Sequence, residues 1–248
     1  MATTERLDKI LVDRGLAASR ERARALILAG QVVVGEHTVD KAGARVEVAA
    51  AIRIRGEDLP YVSRGGIKLA HALEVFAIEV AGRTAIDVGA STGGFTDCLL
   101  QRGVAKVYAV DVGYGQLAWK LRENPRVVCM ERTNIRHLAP AALDELPDLA
   151  VIDASFISLD KVLPSTLALL VPGAELVALI KPQFEVGRGQ VGKGGVVRDP
   201  AQHAAAVERV CAAAAALGCE VRGVTPSPLL GQKGNREFLL YLRKDSAV

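Results

Sequence analysis

The spacing of apolar residues at the start of the chain predicts two short helices. The apolar positions of "ERLDKILVDRG" fall on one helical face, and Gly15 ends the pattern. A second segment, "SRERARALILAG", opens on the helix-capping residue Ser19 and ends at Gly30. The runs "QVVVG", "HTVD", "ARVEV" and "AIRIRG" then predict short strands separated by turns. Residues 1–59 are therefore expected to form a small α+β domain.

From residue 66 onward, continuous apolar runs alternate with helical segments. The segments "TAIDVGA", "KVYAVDV", "DLAVIDASF" and "AELVALIK" predict buried strands, and an alanine-rich helix is expected over about 201–217. This alternation is typical of an α/β domain with a doubly wound, mostly parallel sheet. We expect residues 66–248 to form that domain and residues 60–65 to link it to the first.

Composition limits the classes of function without selecting one. Half of the residues are hydrophobic, and the net charge of +3 permits a nucleic-acid partner without arguing for it. The four cysteines form no C-x-x-C pair, so no metal site or disulfide framework is expected, and a reducing, cytoplasmic location is the simplest. The first residues lack the apolar core of a signal peptide, and no long apolar run predicts a membrane span.

The segment "IDVGASTGGFTD" combines a strand end, a glycine-bearing turn and a helix start. Its glycine spacing differs from the dinucleotide fingerprint and resembles motif I of the S-adenosylmethionine-dependent methyltransferases. The next strand ends in Asp111, an acid that can hydrogen-bond ribose hydroxyls, and the resemblance implies that Thr133, Asn134 and Ile135 of "MERTNIR" surround the adenine. The resemblance implies that S-adenosyl-L-methionine is bound by Asp87, Gly89, Ser91, Thr92, Gly93, Gly94, Phe95, Asp111 and Asn134.

Four charged residues fall at the ends of predicted elements of the second domain. Taken singly, Lys68 and Lys181 could be surface lysines, Asp153 a cap and Glu237 a residue on a solvated edge. Together, in this order on a methyltransferase sheet, they resemble the Lys-Asp-Lys-Glu tetrad of the FtsJ-like ribose 2′-O-methyltransferases. The resemblance implies that Lys181 activates the 2′-hydroxyl, either as a base or by stabilising the developing charge, while the acids orient the lysines and the hydroxyl.

The first domain resembles the S4-type RNA-binding module. An S4-type module before an FtsJ-like domain carrying "VSRGGIKL", "ERTNIR", "IDASFISL" and "IKPQFE" resembles the TlyA family, which is also described as haemolysins. The family implies a Rossmann-like α/β fold and 2′-O-methylation of cytidine in 16S rRNA, 23S rRNA or both, within ribosomal subunits. The residues expected to contact RNA are Arg6, Arg14, Arg20, Arg22, Arg24, Lys41 and Arg64.

A glycine-rich loop follows Lys181. The segment "EVGRGQVGKGGVVRD" carries Arg188, Lys193 and Arg198 among five glycines. Fixing such a segment in one conformation costs conformational entropy. We therefore expect it to be mobile in the free protein and to close over bound RNA.

Three other functions remain open on the sequence. A membrane-acting cytolysin fits the haemolysin name, but no membrane span or signal peptide is predicted. A non-catalytic ribosome assembly factor would bind RNA and cofactor, yet it has no use for two lysines facing two acids. A base-modifying methyltransferase typically uses a cysteine nucleophile or an Asn/Asp-Pro-Pro-Tyr-like motif, whereas this chain reads Asp153-Ala154-Ser155-Phe156 at that position.

Overall fold

The chain separates into two compact units, residues Met1–Asp58 and Leu59–Val248. The computed structural model describes residues 3–28, 30–41, 43–54, 59–192 and 194–246, without the side chains of Arg188 and Gln232.

The first unit is an α+β module, as its sequence predicts. Its elements are β1 (Thr4–Arg6), α1 (Leu7–Asp13), α2 (Arg20–Leu28), β2 (Val32–Val34), β3 (His37–Thr38), β4 (Arg45–Glu47) and β5 (Ile52–Ile54). Strand β1 pairs with β4, and a second sheet has the order β3-β2-β5. The core between helices and strands is small and aliphatic; Leu7, Leu11 and Ile27 are fully buried in it. The hydroxyl of Ser19 accepts a hydrogen bond from the Arg22 N–H, which confirms the predicted cap of α2.

The second unit has the predicted α/β architecture. Its helices are α3 (Gly65–Val75), α4 (Gly94–Gln101), α5 (Trp119–Arg122), α6 (Leu163–Ala168), α7 (Pro182–Glu185) and α8 (Pro200–Ala216). Its strands are β6 (Thr84–Val88), β7 (Lys106–Val110), β8 (Val127–Met130), β9 (Leu149–Ile152), β10 (Glu175–Ile180), β11 (Cys219–Pro226) and β12 (Phe238–Lys244). They form one sheet in the order β11-β12-β10-β9-β6-β7-β8, with an apolar core on each face.

The direction of the strands decides which residues meet. Strands β6 to β10 pair in parallel, so their carboxyl ends share one edge of the sheet. Strand β12 runs antiparallel to β10, with Ile180 opposite Phe238. Glu237, which precedes β12, therefore lies at the same edge as Lys181, which follows β10. The reversed strand supplies an amino-terminal residue to a site otherwise built from carboxyl ends.

Residues 60–62 are bound to the second unit through α4. The Val62 N–H donates to Asp97 Oδ2 at 2.8 Å, and Gln101 Nε2 donates to the Pro60 carbonyl at 2.9 Å. The Tyr61 ring packs against α3, where a Cβ on Gly66 would lie 2.3 Å from the ring carbon Cγ. A side chain at residue 66 would therefore displace the segment that leads into the domain.

Two neighbouring glycines in α3 should differ in how much stability is lost when each is replaced by alanine. We expect Gly66→Ala to destabilise the second unit by about 1–3 kcal/mol, because the new methyl group overlaps Tyr61. Gly65→Ala should change stability by less than about 1 kcal/mol, because its nearest contacts, Phe95 and Ser63, both lie at 3.4 Å. Urea unfolding of both variants tests this, and equal stabilities would contradict the overlap argument.

Candidate active site

A continuous cleft lies where strands β6, β7, β9 and β10 end. Two adjoining cavities, of about 260 and 480 Å³, form it. Both cavities are lined by Gly89, Ser91, Asp153, Ser155 and Phe156. The smaller cavity also reaches Lys68, Lys181 and Glu237, whereas the larger extends to Asp111 and Asn134. Both ends of the cleft thus carry residues singled out from the sequence.

Lys181 is held at the centre of the cleft by the turn after β9. Its Nζ lies 2.6 Å from Asp153 Oδ1 and donates a hydrogen bond to Ser155 Oγ at 2.7 Å. It also lies 3.5 Å from the Asp153 carbonyl oxygen. The contact with Oδ1 is an ion pair outside hydrogen-bond geometry, since this atom accepts no hydrogen bond within the described part of the chain. The Asp153 side chain is 24% exposed and lines both cavities, so the residue faces a group that enters the cleft.

Lys68 is paired with the acid from the reversed strand. Its Nζ donates to Glu237 Oε2 and forms an ion pair with it. The register of the sheet sets Glu237 beside Lys181, and α3 carries Lys68 over it. The structure therefore brings all four members of the predicted tetrad into one cavity, as two lysine–acid pairs.

The pairing explains how three of these charges tolerate burial. Lys68, Lys181 and Glu237 are 9%, 8% and 4% exposed. Removing an isolated charge from water is strongly unfavourable, and a partner within contact distance offsets much of that cost. Replacing one member of a pair would leave the other buried and uncompensated.

Glycine is required in the turn after β6 by its contact with the end of β9. Gly89 has a φ of 84°, and a Cβ there would lie 2.8 Å from the Asp153 carbonyl oxygen. Ser91 also has a positive φ, of 48°, and its N–H donates to Asp111 Oδ2 at 2.8 Å. Gly93 faces away from the cleft, because a Cβ on it would meet Leu121 at 2.3 Å. Gly93 was predicted to contact the cofactor. Its close packing against Leu121 gives it a separate, structural reason to be glycine.

Asp87 is a fully buried acid at the floor of the cleft. Its Oδ2 accepts hydrogen bonds from the Thr96 N–H at 2.9 Å and the Thr96 hydroxyl at 2.6 Å. Its Oδ1 has no hydrogen-bond partner among the described residues. Burial first, and then the charges of Asp153 and Asp111, raise the pKa of Asp87 to about 7, although the hydrogen bonds from Thr96 act to lower it.

The larger cavity is suited to a nucleoside. Asp111 is oriented by the N–H groups of Ser91 and Gly113, the latter at 2.7 Å from Oδ1. Asn134 caps a 3-10 helix by accepting the Arg136 N–H at 3.1 Å, and the buried Ile135 adds an apolar wall. A fixed acid opposite an apolar wall suits ribose hydroxyls on one side and a flat base on the other.

The donor set along the cleft fits S-adenosyl-L-methionine. The cofactor carries an ammonium, and the unpartnered, buried Oδ1 of Asp87 is an acceptor for such a group. Asp111 could hold the ribose hydroxyls, and Thr133, Asn134 and Ile135 could surround the adenine. Among the described residues, no group of three or more His, Cys, Asp or Glu side chains could hold a metal ion.

Several site residues were missed by sequence reasoning. Ser155 binds Lys181, and Thr96 orients Asp87. Glu185, 2% exposed, accepts hydrogen bonds from the Ser158 hydroxyl at 2.6 Å and the Leu159 N–H at 2.9 Å, which ties α7 to the loop after β9. Only Glu185 left a signal, an acid in an otherwise apolar segment after Lys181. The serine and threonine contacts depend on tertiary placement.

The residues predicted to contact RNA divide into several structural settings. Arg6, Arg20 and Arg24 all contact Asp8. Arg14 donates to the carbonyl oxygens of Val48 and Ala50, so its guanidinium helps to hold the first unit together. Arg22 lies in α2, and Lys41 is exposed. Arg64 lines the smaller cavity, at the start of α3.

The glycine-rich loop is anchored at its carboxyl end. Asn235 Nδ2 donates to the Gly195 carbonyl at 3.0 Å, and its Oδ1 accepts the Val197 N–H at 3.0 Å. Arg198 is exposed. The side chain of Arg188 and the whole of Lys193 lie outside the described residues. The expected closure of this loop over RNA stays a prediction.

Comparison with known proteins gives two family matches. Residues 61–244 match the FtsJ-like methyltransferase family, and residues 5–52 match the S4 domain. The chain is 52% identical, over 244 residues, to the 16S/23S rRNA (cytidine-2′-O)-methyltransferase TlyA of Mycobacterium tuberculosis, covering 98% of this chain and 91% of that protein. It is 40% identical over 237 residues to Hemolysin A of Brachyspira hyodysenteriae, covering 95% and 98%.

A solved structure also resembles the chain over nearly its whole length. It is that of a Streptococcus thermophilus protein provisionally named a hemolysin. The TM-score is 0.77 at 46% sequence identity, and the match covers 99% of this chain and 90% of that one. The α/β fold with an S4 domain expected from the sequence is thereby confirmed.

Asp87 should make the stability of the protein depend on pH. Its folded-state pKa of about 7 exceeds the ordinary 3.8, so the folded protein holds a proton that the unfolded chain releases. The stability that comes from this bound proton is fully present below the ordinary pKa of 3.8 and is lost as pH rises through the folded-state pKa of about 7. We expect the unfolding free energy of wild type, relative to Asp87→Asn, to fall between pH 5 and 8 by at most about 1.4 kcal/mol per unit. Urea unfolding at several pH values tests this; a constant difference would contradict it.

Proposed function

Since this chain belongs to the FtsJ-like methyltransferase family, we propose that it transfers a methyl group from S-adenosyl-L-methionine to the ribose 2′-hydroxyl of a cytidine in ribosomal RNA. The observation that carries the proposal is the convergence of two lysine–acid pairs beside the glycine turn. The M. tuberculosis relative is named for 2′-O-methylation of cytidine in 16S and 23S rRNA. The S4 domain supports an RNA substrate, and a ribosomal substrate would place the activity in the cytoplasm.

The reaction requires an oxygen nucleophile that water alone does not activate. When bound, S-adenosyl-L-methionine supplies an electrophilic methyl group on its sulfonium. The ribose hydroxyl must pass its proton to a carboxylate of the site or to solvent water as its oxygen attacks, so negative charge develops on that oxygen. A fixed cation beside the oxygen lowers the barrier, because the charge is stabilised most in the transition state.

We assign the stabilising cation to Lys181. The acid and the serine around its Nζ hold the ammonium in one position. Asp153 is 24% exposed and lines both cavities, so its carboxylate is placed to accept a hydrogen bond from the 2′-hydroxyl and so to orient it. Lys68 and Glu237 form the second lysine–acid pair. Its role is to fix the electrostatic field of the cavity while neither buried charge is left without a partner.

Two aromatic rings at the mouth of the cleft favour a nucleotide substrate. Phe156 has a φ of 65° and is 87% exposed, although it lines both cavities. Its ring centroid lies 5.3 Å from that of Phe184. An aromatic side chain held in an unfavourable backbone conformation and left in water is suited to stacking on a base. A nucleotide whose base stacks there would present its ribose toward the cleft.

The proposal is tested by methylation of ribosomal subunits. Unmodified 30S and 50S subunits are incubated separately with tritiated S-adenosyl-L-methionine and either wild type, Lys181→Ala or Lys161→Ala. Lys161 serves as the matched control because its side chain is 65% exposed. We expect Lys181→Ala to lose at least about 100-fold in rate, since it removes a transition-state charge contact, and Lys161→Ala to retain activity.

The chemical form of the label decides the class of reaction. Ribose methylation blocks alkaline cleavage, so the label should survive hydrolysis in an uncleaved dinucleotide, and the labelled subunit identifies the substrate. Label released with single nucleotides would indicate base methylation. Subunit and cofactor binding without any label would favour a non-catalytic assembly factor.

The hemolysin names of two relatives motivate a membrane test. The described residues contain no helix that is both long and apolar enough to cross a membrane. We expect no dye release from phosphatidylcholine–phosphatidylglycerol vesicles at protein concentrations that give full methylation. Release that Lys181→Ala retains would instead reveal a membrane activity separate from the proposed chemistry.

A further inference from the structure

A single buried acid in the first unit contacts three arginines. Asp8 lies in α1, and its side chain is fully buried. Its Oδ1 accepts from Arg6 Nε at 3.0 Å, and its Oδ2 accepts from Arg6 Nη2 at 2.9 Å. Oδ2 also lies 3.3 Å from Arg20 Nη2 and 3.1 Å from Arg24 Nε. The acid therefore sits at the centre of a cluster with three positive charges and one negative charge.

The arginines of this cluster come from two different elements. Arg6 ends β1, while Arg20 and Arg24 are four residues apart on α2 and share one of its faces. Their side chains remain 40%, 52% and 53% exposed, although the acid between them is shielded from water. The contacts with Asp8 use only a few of the five N–H donors that each guanidinium carries. The remaining donors can serve an anion from solvent.

Electrostatics explains why the acid and the arginines depend on each other. The hydrogen bonds from Arg6, followed by the contacts with Arg24 and Arg20, hold the pKa of Asp8 well below its usual range despite its burial. Asp8 is therefore ionised at neutral pH. Without that negative charge, three like charges would repel one another, and each long side chain would regain its rotamer freedom.

We propose that Asp8 is a positioning residue that gathers Arg6, Arg20 and Arg24 into one preorganised site for the phosphodiester backbone of RNA. The inference rests on the proposed function, since ribosomal RNA is the polyanion offered to this site. Fixing the guanidiniums before binding reduces the entropy lost on association. Planar guanidiniums held side by side also match phosphate oxygens better than independently moving ones.

Positioning by Asp8 and net charge alone predict opposite changes in RNA affinity when Asp8 is replaced. Replacing an acid among arginines adds one positive charge, so net charge alone predicts tighter binding of RNA and a steeper salt dependence. If Asp8 positions the arginines, Asp8→Asn should weaken binding in spite of the added charge. Asp13→Asn is the matched control, because Asp13 lies on the same helix, is 58% exposed and has a long, 3.8 Å ion pair with Lys9.

The first experiment measures binding of the full chain to purified ribosomal subunits over a range of salt concentrations. We expect Asp8→Asn to raise the Kd about tenfold and to reduce the salt dependence, as fewer phosphates are engaged. Asp13→Asn should bind as tightly as wild type or slightly tighter. Under steady-state methylation, Asp8→Asn should raise KM for subunits more than it changes kcat. Binding by Asp8→Asn that equals or exceeds that of Asp13→Asn overturns the proposal.

A second experiment separates positioning from folding. Asp8→Asn is introduced into a chain that already carries Arg6→Gln, Arg20→Gln and Arg24→Gln. If Asp8 acts through these arginines, it should cause no further loss of affinity in that background. A further loss would show that Asp8 acts through the fold of the unit and would sink the idea. Wild type that binds subunits without labelling RNA would defeat the proposed function while leaving this comparison intact.

Discussion

The burial of two lysines at the edge of an apolar sheet is the constraint on which the site depends. Each lysine requires an acid within contact distance, and the fold provides one for each. The turn after β9 supplies Asp153 to Lys181, whereas the reversed strand β12 supplies Glu237 to Lys68. Because a charge stripped of its partner is strongly unfavourable in such a setting, the four side chains hold one another in a single arrangement.

The same edge of the sheet contains a turn whose backbone conformation and close contacts require glycine. Gly89 brings the turn after β6 against the end of β9, so the candidate cofactor turn and Asp153 are in direct contact. This contact makes the two cavities one cleft, because Asp153 borders both. The position of the candidate methyl donor and that of the candidate acceptor are thus set by one backbone contact. Such rigid placement of reacting groups is a large part of what an enzyme contributes to a rate.

Much of the fold could be predicted, and the exceptions have physical causes. Long apolar runs marked β6, β7, β9 and β10. Strand β1 was missed because its three residues are polar and pair with β4, about 40 positions away, and β8 was missed because it is a short, half-buried edge strand. The tetrad was predicted from acids and lysines at element ends together with their resemblance to the FtsJ-like pattern. The pairing of Lys68 with Glu237 depends on the direction of β12, which the sequence pattern does not encode. The clustering of arginines on Asp8 could likewise not be predicted, because it depends on how β1, α1 and α2 pack together.

The distance in sequence between Lys68 and Glu237 has a consequence for biosynthesis. The two residues are 169 positions apart, and Glu237 lies immediately before β12. During translation, strands β6 to β10 emerge first and can begin to pair, but Lys68 has no acid until β12 has been made. A nascent chain can therefore form the candidate cofactor turn before the fourth residue of the tetrad has been synthesised. Competence for chemistry would arrive as one event, when Glu237 and β12 join strands that are already paired.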